Sequence, residues 1–252
     1  MIGIGSPTFC LTPFMKMLEE ISEKFKLWEL LSEDENRLEI VGDGIRHGRE
    51  SYDMHFQVHA PLSDVNIGSV YEPMRLAALK EVQETIALCH KLEIPLVTVH
   101  PGFVNGIAFL DRRKGLEKTK DSIKALSRFS NDQSVEIVVE NLPANMNATC
   151  STAMELLEVL NEADVRMCFD MGHANTAGQV DEFLELVARF GNVHLHNNEG
   201  QWDQHNRIDD GSADLRKVVS ILKQSYKGNI IIEATDLETG AESKSTLESL
   251  LG

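Results

Sequence analysis

Val165-Arg166-Met167-Cys168-Phe169-Asp170-Met171-Gly172-His173-Ala174-Asn175 decides how this chain is read. Five mostly apolar residues stop at Asp170, and His173 follows three positions later in a glycine-containing turn. A short apolar run bounded in this way has the character of a buried strand. A carboxylate and an imidazole at its exit suit a pair of metal ligands or an acid and base. The same arrangement recurs along the chain, and that recurrence points to the fold.

Working outward, apolar runs at 2–6, 25–31, 56–59, 95–99, 135–139, 193–196 and 229–232 read as further strands. Helical spacing of apolar residues fills the stretches between them, at 13–24, 72–93, 116–129, 182–190 and 214–226. Ser32 is expected to cap a short acidic helix, and Ser151, with Glu155 close behind, to open another. The segment 41–52, with Gly42, Gly44 and Gly48 among Arg46, His47 and Arg49, reads as a mobile loop. Eight strands alternating with helices call for a parallel sheet closed into a (β/α)8 TIM barrel. With no linker or low-complexity tract, residues 1–252 are expected to form a single domain.

In such a barrel the C-terminal ends of the strands converge on one face, where the active site is built. The residues at those ends are His59, His100, Glu140, Asp170 with His173, His194, Asp203 with His205, and Glu233. Five of the nine histidines fall at or just after a strand end, which a chance scatter would not favour. Any one of them alone reads as a hydrogen-bonded structural residue, and Glu140 or Glu233 alone as the partner of an arginine. Together they would bury many carboxylates and imidazoles on one face, for which metal cations are the natural compensation. The donor set suits zinc, with manganese as the other choice. His196, two residues past His194, points to the same side of its strand and is expected to support a ligand or touch substrate. His47, His55 and His90 are given no role.

The bulk properties narrow the partners. Hydrophobic content of 42% and charged content of 25% fit a protein with a sizeable core. No apolar run approaches the ~20 residues that span a bilayer, so no membrane partner is expected. The start of the sequence lacks a basic segment followed by an apolar one, so a cytoplasmic protein is expected. Cys10, Cys89, Cys150 and Cys168 form no metal or redox spacing and read as reduced, buried thiols. The formal net charge of −16 disfavours a phosphate backbone.

The segments Val58-His59-Ala60-Pro61, Val99-His100-Pro101-Gly102, Val139-Glu140-Asn141, Phe169-Asp170-Met171-Gly172-His173, Val193-His194-Leu195, Asp203-Gln204-His205 and Ile232-Glu233 occur in this order. In this the chain resembles the xylose isomerase-like TIM-barrel superfamily. That group holds the endonuclease IV (AP endonuclease family 2) enzymes together with many sugar isomerases and epimerases. By resemblance to endonuclease IV, three zinc ions are implied. His59, His100 and Glu140 would hold one; Glu140, Asp170, His194 and Glu233 a second; His173, Asp203 and His205 a third. By resemblance to the isomerases, a single metal would use Glu140, Asp170, His194 and Glu233, with the two glutamates moving protons.

The chain departs from the DNA-repair pattern. Those enzymes insert bulky side chains, a Tyr among them, shortly after the position of His59. Here the stretch is Leu62-Ser63-Asp64-Val65, and the loop Ser32-Glu33-Asp34-Glu35 is acidic. Three divalent cations would offset only six of the sixteen net negative charges.

Two reactions therefore compete, with a metal-stabilised binding protein as a third reading. The first is metal-hydroxide hydrolysis of a phosphoester, favoured narrowly because Asp203-Gln204-His205 has no part in one-metal chemistry. Its substrate would be small and phosphorylated, or less favourably a nucleic acid with an abasic site, with Arg207, Arg112 or Arg113 near the phosphate. The second is isomerisation or epimerisation of a sugar or sugar phosphate, with Glu140 and Glu233 as acid and base.

Overall fold

The computed structural model describes residues 1–144 and 147–252. Strand β1 (Ile2–Gly5) leads through a 3-10 turn to helix α1 (Phe14–Ser22), followed by β2 (Leu27–Leu31), α2 (Leu38–Tyr52) and β3 (His55–His59). Then come α3 (Glu72–Lys91), β4 (Leu96–Val99), α4 (Arg112–Gln133), β5 (Glu136–Glu140), α5 (Ala153–Ala163) and β6 (Arg166–Asp170). Two short helices, α6 (Met171–Thr176) and α7 (Val180–Leu184), precede β7 (Phe190–Leu195). The chain ends with α8 (Leu215–Ser225), β8 (Ile230–Glu233) and α9 (Leu237–Leu251). The strands pair in parallel and in chain order, and β8 returns to β1 with Ile2 opposite Ile230, so the sheet is a closed (β/α)8 barrel.

Alternation along each strand divides two environments. Outward residues such as Trp28, Phe56, Val97 and Phe169 are buried beneath the helices. Trp28 stacks on Phe14 at 5.2 Å between ring centroids, and Phe169 on Phe190 at 4.8 Å. The inward residues behave differently from the usual apolar filling of such a barrel. Glu29, Gln57, Thr98 and Asn192 form a buried polar layer, and His59, Glu140, Asp170 and His194 lie above it at the strand ends.

Several expectations change. Residues 41–52 are not a loop but most of α2, because Leu38, Val41, Ile45 and Gly48 form one buried stripe. Burial of that stripe outweighs the cost of three glycines in a helix. Ser32 does not cap a helix; a single 3-10 turn (Asp34–Asn36) follows Glu33, and the Ser32 hydroxyl accepts from the Leu38 amide. The helix expected at 182–190 stops at Leu184, and Phe190 joins β7 because its ring packs on Phe169. The four cysteines are free and buried. Among the described residues no helix is long and apolar enough to cross a membrane.

Candidate metal centre

The strand ends deliver their side chains because each sits at an inward position of the last turn of its strand. His59 closes β3, Glu140 β5, Asp170 β6 and Glu233 β8, while His194 is the penultimate residue of β7. The turn after Asp170 is a short helix rather than a loop. The Asp170 carboxylate caps α6 by accepting from the His173 amide at 2.6 Å, which fixes the spacing of the pair. Asn141 holds this strand end from the side. Its amide donates to the Asp170 carbonyl and accepts from the Asp170 amide.

The side chains gather into three adjoining groups. His59, His100 and Glu140 form the first; Glu140, Asp170, His194 and Glu233 the second; His173, His196, Asp203 and His205 the third. Within each group one donor atom per residue lies within 4.8 Å of the others. Glu140 is shared. Its Oε2 lies 3.1 Å from His59 Nε2 and 3.2 Å from His100 Nε2, while Oε1 lies 3.2 Å from His194 Nδ1. Glu233 Oε1 is 2.9 Å from His194 Nδ1, and its Oε2 is 3.4 Å from His205 Nδ1. In the third group Asp203 Oδ2 is 3.2 Å from both His173 Nε2 and His205 Nε2.

Two observations test whether a cation fits. The first concerns ring protons. His59 Nδ1 must donate to the Ala60 carbonyl at 2.8 Å and His173 Nδ1 to the Asn141 carbonyl at 2.9 Å, because a carbonyl only accepts. The opposite nitrogens then face carboxylates, an arrangement that a cation between lone pairs makes favourable. The second concerns partners. Among the described residues, His100 Nδ1, Asp170 Oδ2, Asp203 Oδ1, His205 Nδ1 and both nitrogens of His196 are buried without a hydrogen bond. Unsatisfied buried groups are costly, and cation ligation would satisfy several of these at once. The residues present fit divalent cations.

The electrostatics agree. Burial by itself would raise the Glu140 carboxyl, but His194, His100 and His59 overcome it and hold the group well below the ordinary range. Glu233 and Asp203 are likewise lowered against burial, by His194 and His173 respectively. Burial opposes charge on His173, yet Asp170 and Asp203 lift it well above its usual value, so the ring carries the counter-charge until a cation displaces its proton. The carboxylates stay anionic at neutral pH, as ligands must.

A cavity of about 250 Å³ adjoins all three groups, with His59, His100, Glu140, Glu233, His173, Asp203 and His205 on its wall. This is small against the roughly 300–1,000 Å³ of drug-sized sites. Leu31, Leu62, Phe103, Leu142 and Pro143 supply an apolar wall. Glu33 sets Leu62 in place by accepting from the backbone amides of Leu62 and Ser63 at 2.5 and 2.6 Å. Among the described residues no Lys or Arg lines this cavity. Arg207, expected at the substrate, is half-exposed and engaged by Asp209 and Glu242 instead. Arg112 pairs with Glu155, and Arg113 with Glu158 and Glu117. His196, expected beside the ligands, is fully buried within the third group, with Nε2 3.1 Å from Asp170 Oδ1.

The description "Xylose isomerase-like TIM barrel" matches residues 20–250. The chain belongs to this family. Among relatives of this xylose isomerase-like barrel is the uncharacterized protein MJ1311 of Methanocaldococcus jannaschii, 29% identical, the alignment covering 99% of this chain and 88% of the relative. A D-tagatose 3-epimerase-like protein is 28% identical with a TM-score of 0.91, over 99% of this chain and 96% of that one. The 3-keto-D-glucoside 4-epimerase YcjR of E. coli shares the fold at 16% identity and a TM-score of 0.81, over 98% of both chains.

Sequence reasoning missed the inward layer below the ligands. Glu29, Gln57, Thr98 and Asn192 each sit in an apolar strand, and the last three stand two residues before His59, His100 and His194. That offset places them on the ligands' own face and was the available signal.

Gly172 is demanded by His196. A Cβ there would lie 2.0 Å from the His196 ring, which has no room to retreat. Gly172→Ala is expected to cost about 1–3 kcal/mol through overpacking and to weaken cation uptake by the third group. Thermal denaturation with and without added Zn²⁺ checks this; an unchanged protein would remove the packing account of His196.

Proposed function

We propose that this chain is a divalent-cation-dependent epimerase or isomerase of a small, unphosphorylated sugar. The observation that carries this is the second group at the cavity floor. There Glu140 and Glu233 both approach the same His194 nitrogen, at 3.2 and 2.9 Å, beneath a cavity that no Lys or Arg among the described residues lines. The likeness to epimerases of the same family supports the reading. It also displaces phosphoester hydrolysis, favoured on sequence grounds, from first place.

Glu140, Asp170, His194 and Glu233 would hold a divalent cation, which would supply Lewis-acid polarisation of a carbonyl and its neighbouring hydroxyl. One glutamate then takes the proton from the carbon beside the carbonyl, and the other returns a proton to the opposite face, so the stereocentre inverts without loss of atoms. Glu233 is the more accessible base, its side chain being 13% exposed against 1% for Glu140. Glu140 is hemmed in by the imidazoles of His59, His100, His173 and His194, whereas Glu233 meets those of His194 and His205. Leu62, Phe103 and Leu142 cover the sugar skeleton during turnover, and the glutamate carboxyls exchange their protons with solvent between turnovers.

A second reading, phosphoester hydrolysis, is supported by the first and third groups, which one-cation epimerisation does not require. Both are tested together. Protein purified without chelator is analysed for metal and incubated with ketohexoses in D₂O and, separately, with abasic DNA and sugar phosphates. Inversion with solvent deuterium on the inverted carbon is the expected result. Phosphoester cleavage with about three cations per chain, and no exchange in any ketose, would replace the first reading by the second.

A further inference from the structure

The buried layer beneath the cation groups has a centre, Glu29. This carboxylate is 3% exposed and lies inside the barrel on β2, where neighbouring residues are apolar. Its Oε2 accepts from the Gln57 amide, from Asn192 Nδ2 at 2.8 Å and from the Thr98 hydroxyl at 3.4 Å. The Gln57 amide has no freedom to turn over, because Asn229 Nδ2 donates to its Oε1 at 3.0 Å. Glu29 Oε2 is thus saturated by donors, and among the described residues Oε1 pairs with His194 Nε2 at 2.8 Å.

That contact settles which ring nitrogen keeps its proton. A carboxylate oxygen only accepts, so His194 Nε2, 2.8 Å from Oε1, donates to it, while the Asn192 amide 3.1 Å from the same nitrogen gives its proton to Glu29 Oε2. Nδ1 of His194 faces Glu233, Glu140 and Asp170, at 2.9, 3.2 and 3.9 Å, and would offer a lone pair there once a cation replaces the proton on that nitrogen. His59 and His173 are oriented by backbone carbonyls of residues adjoining the strand ends. His194 lies deeper, is fully buried, and relies on a side chain from the far side of the barrel.

We infer that Glu29 is the positioning residue for His194, its carboxylate holding the Nε2 proton so that Nδ1 faces the cation held with Glu140, Asp170 and Glu233. Glu29 also reaches the floor of the cavity, and the role inferred here is the one it exerts through His194. The inference rests on the cation reading of the second group and is independent of which reaction follows.

The test measures Co²⁺ binding by calorimetry and by the visible spectrum of the bound ion, with no substrate present. Glu29→Gln keeps the size of the side chain but places an amide where only an acceptor fits. A loss of ~10–100-fold in Co²⁺ affinity, with an altered ligand-field spectrum, is expected. Gln57→Leu removes a donor to Glu29 while leaving the Glu29–His194 contact, so it should lower thermal stability but preserve the spectrum. Equal Co²⁺ affinity and spectrum in Glu29→Gln and the parent protein would overturn the positioning role. So would equal spectral change in both variants, since that marks a general loosening of the layer. A parent protein that binds no Co²⁺ would instead overturn the cation reading itself.

Discussion

Sugar epimerisation by the Glu233→Gln protein is expected to fall by ~10²–10⁴-fold, the usual contribution of a positioned acid or base. The amide can still offer an oxygen to the cation group, so the bound metal should remain measurable while proton exchange disappears. Solvent deuterium incorporation is the decisive readout, because it reports the proton transfer and not the affinity. Glu140→Gln is expected to be worse in a different way. Its carboxylate serves two groups at once, through Oε2 to His59 and His100 and through Oε1 to His194. That variant should lose metal as well as turnover. Exchange at the parent rate in Glu233→Gln would remove Glu233 from the reaction.

The second large effect is on stability. Stripping cations with a chelator leaves Glu140, Asp170, Asp203 and Glu233 crowded together, with only imidazolium charges to offset them. A cation present at a hundredfold over its dissociation constant stabilises the fold by about 2.7 kcal/mol. For a chain of this length each kcal/mol moves the melting midpoint by ~2–4 °C. The chelated protein should therefore melt roughly 5–11 °C lower, and Zn²⁺ or Mn²⁺ should restore it. Differential scanning calorimetry with and without added metal measures this, and coincident melting curves would speak against any resident cation.

Much of this architecture is legible in the chain itself, and the physical reasons are specific. Strands such as Val165 to Phe169 are apolar on both faces because helices cover one side and the barrel interior the other. The acids and imidazoles stand out because they interrupt those runs at their exits. What could not be read was governed by tertiary burial. Gly42, Gly44 and Gly48 argue locally for a loop, yet the stripe of Leu38, Val41 and Ile45 buries itself and makes a helix. Glu29 and Asn192 look like isolated polar residues in strands, because their partners come from 28 and 163 positions away in sequence. His196 sits beside His194 in sequence but belongs with His173 and Asp203, an assignment fixed only when the loop after β7 folds back. The inclination towards hydrolysis came from counting ligands, and ligand count does not name the reaction.

The shared position of Glu140 bears on how this protein would choose its metal. Its two oxygens hang from one carbon, so a turn of the carboxylate that suits an ion beside His59 and His100 reorients the oxygen offered beside His194. If ions occupied both groups, their binding would be linked, and by thermodynamic reciprocity each would alter the other's affinity by the same factor. Selection among Zn²⁺, Mn²⁺ and their competitors would then be a collective property of the filled groups, set by pairs of ions and not by any single ligand cage.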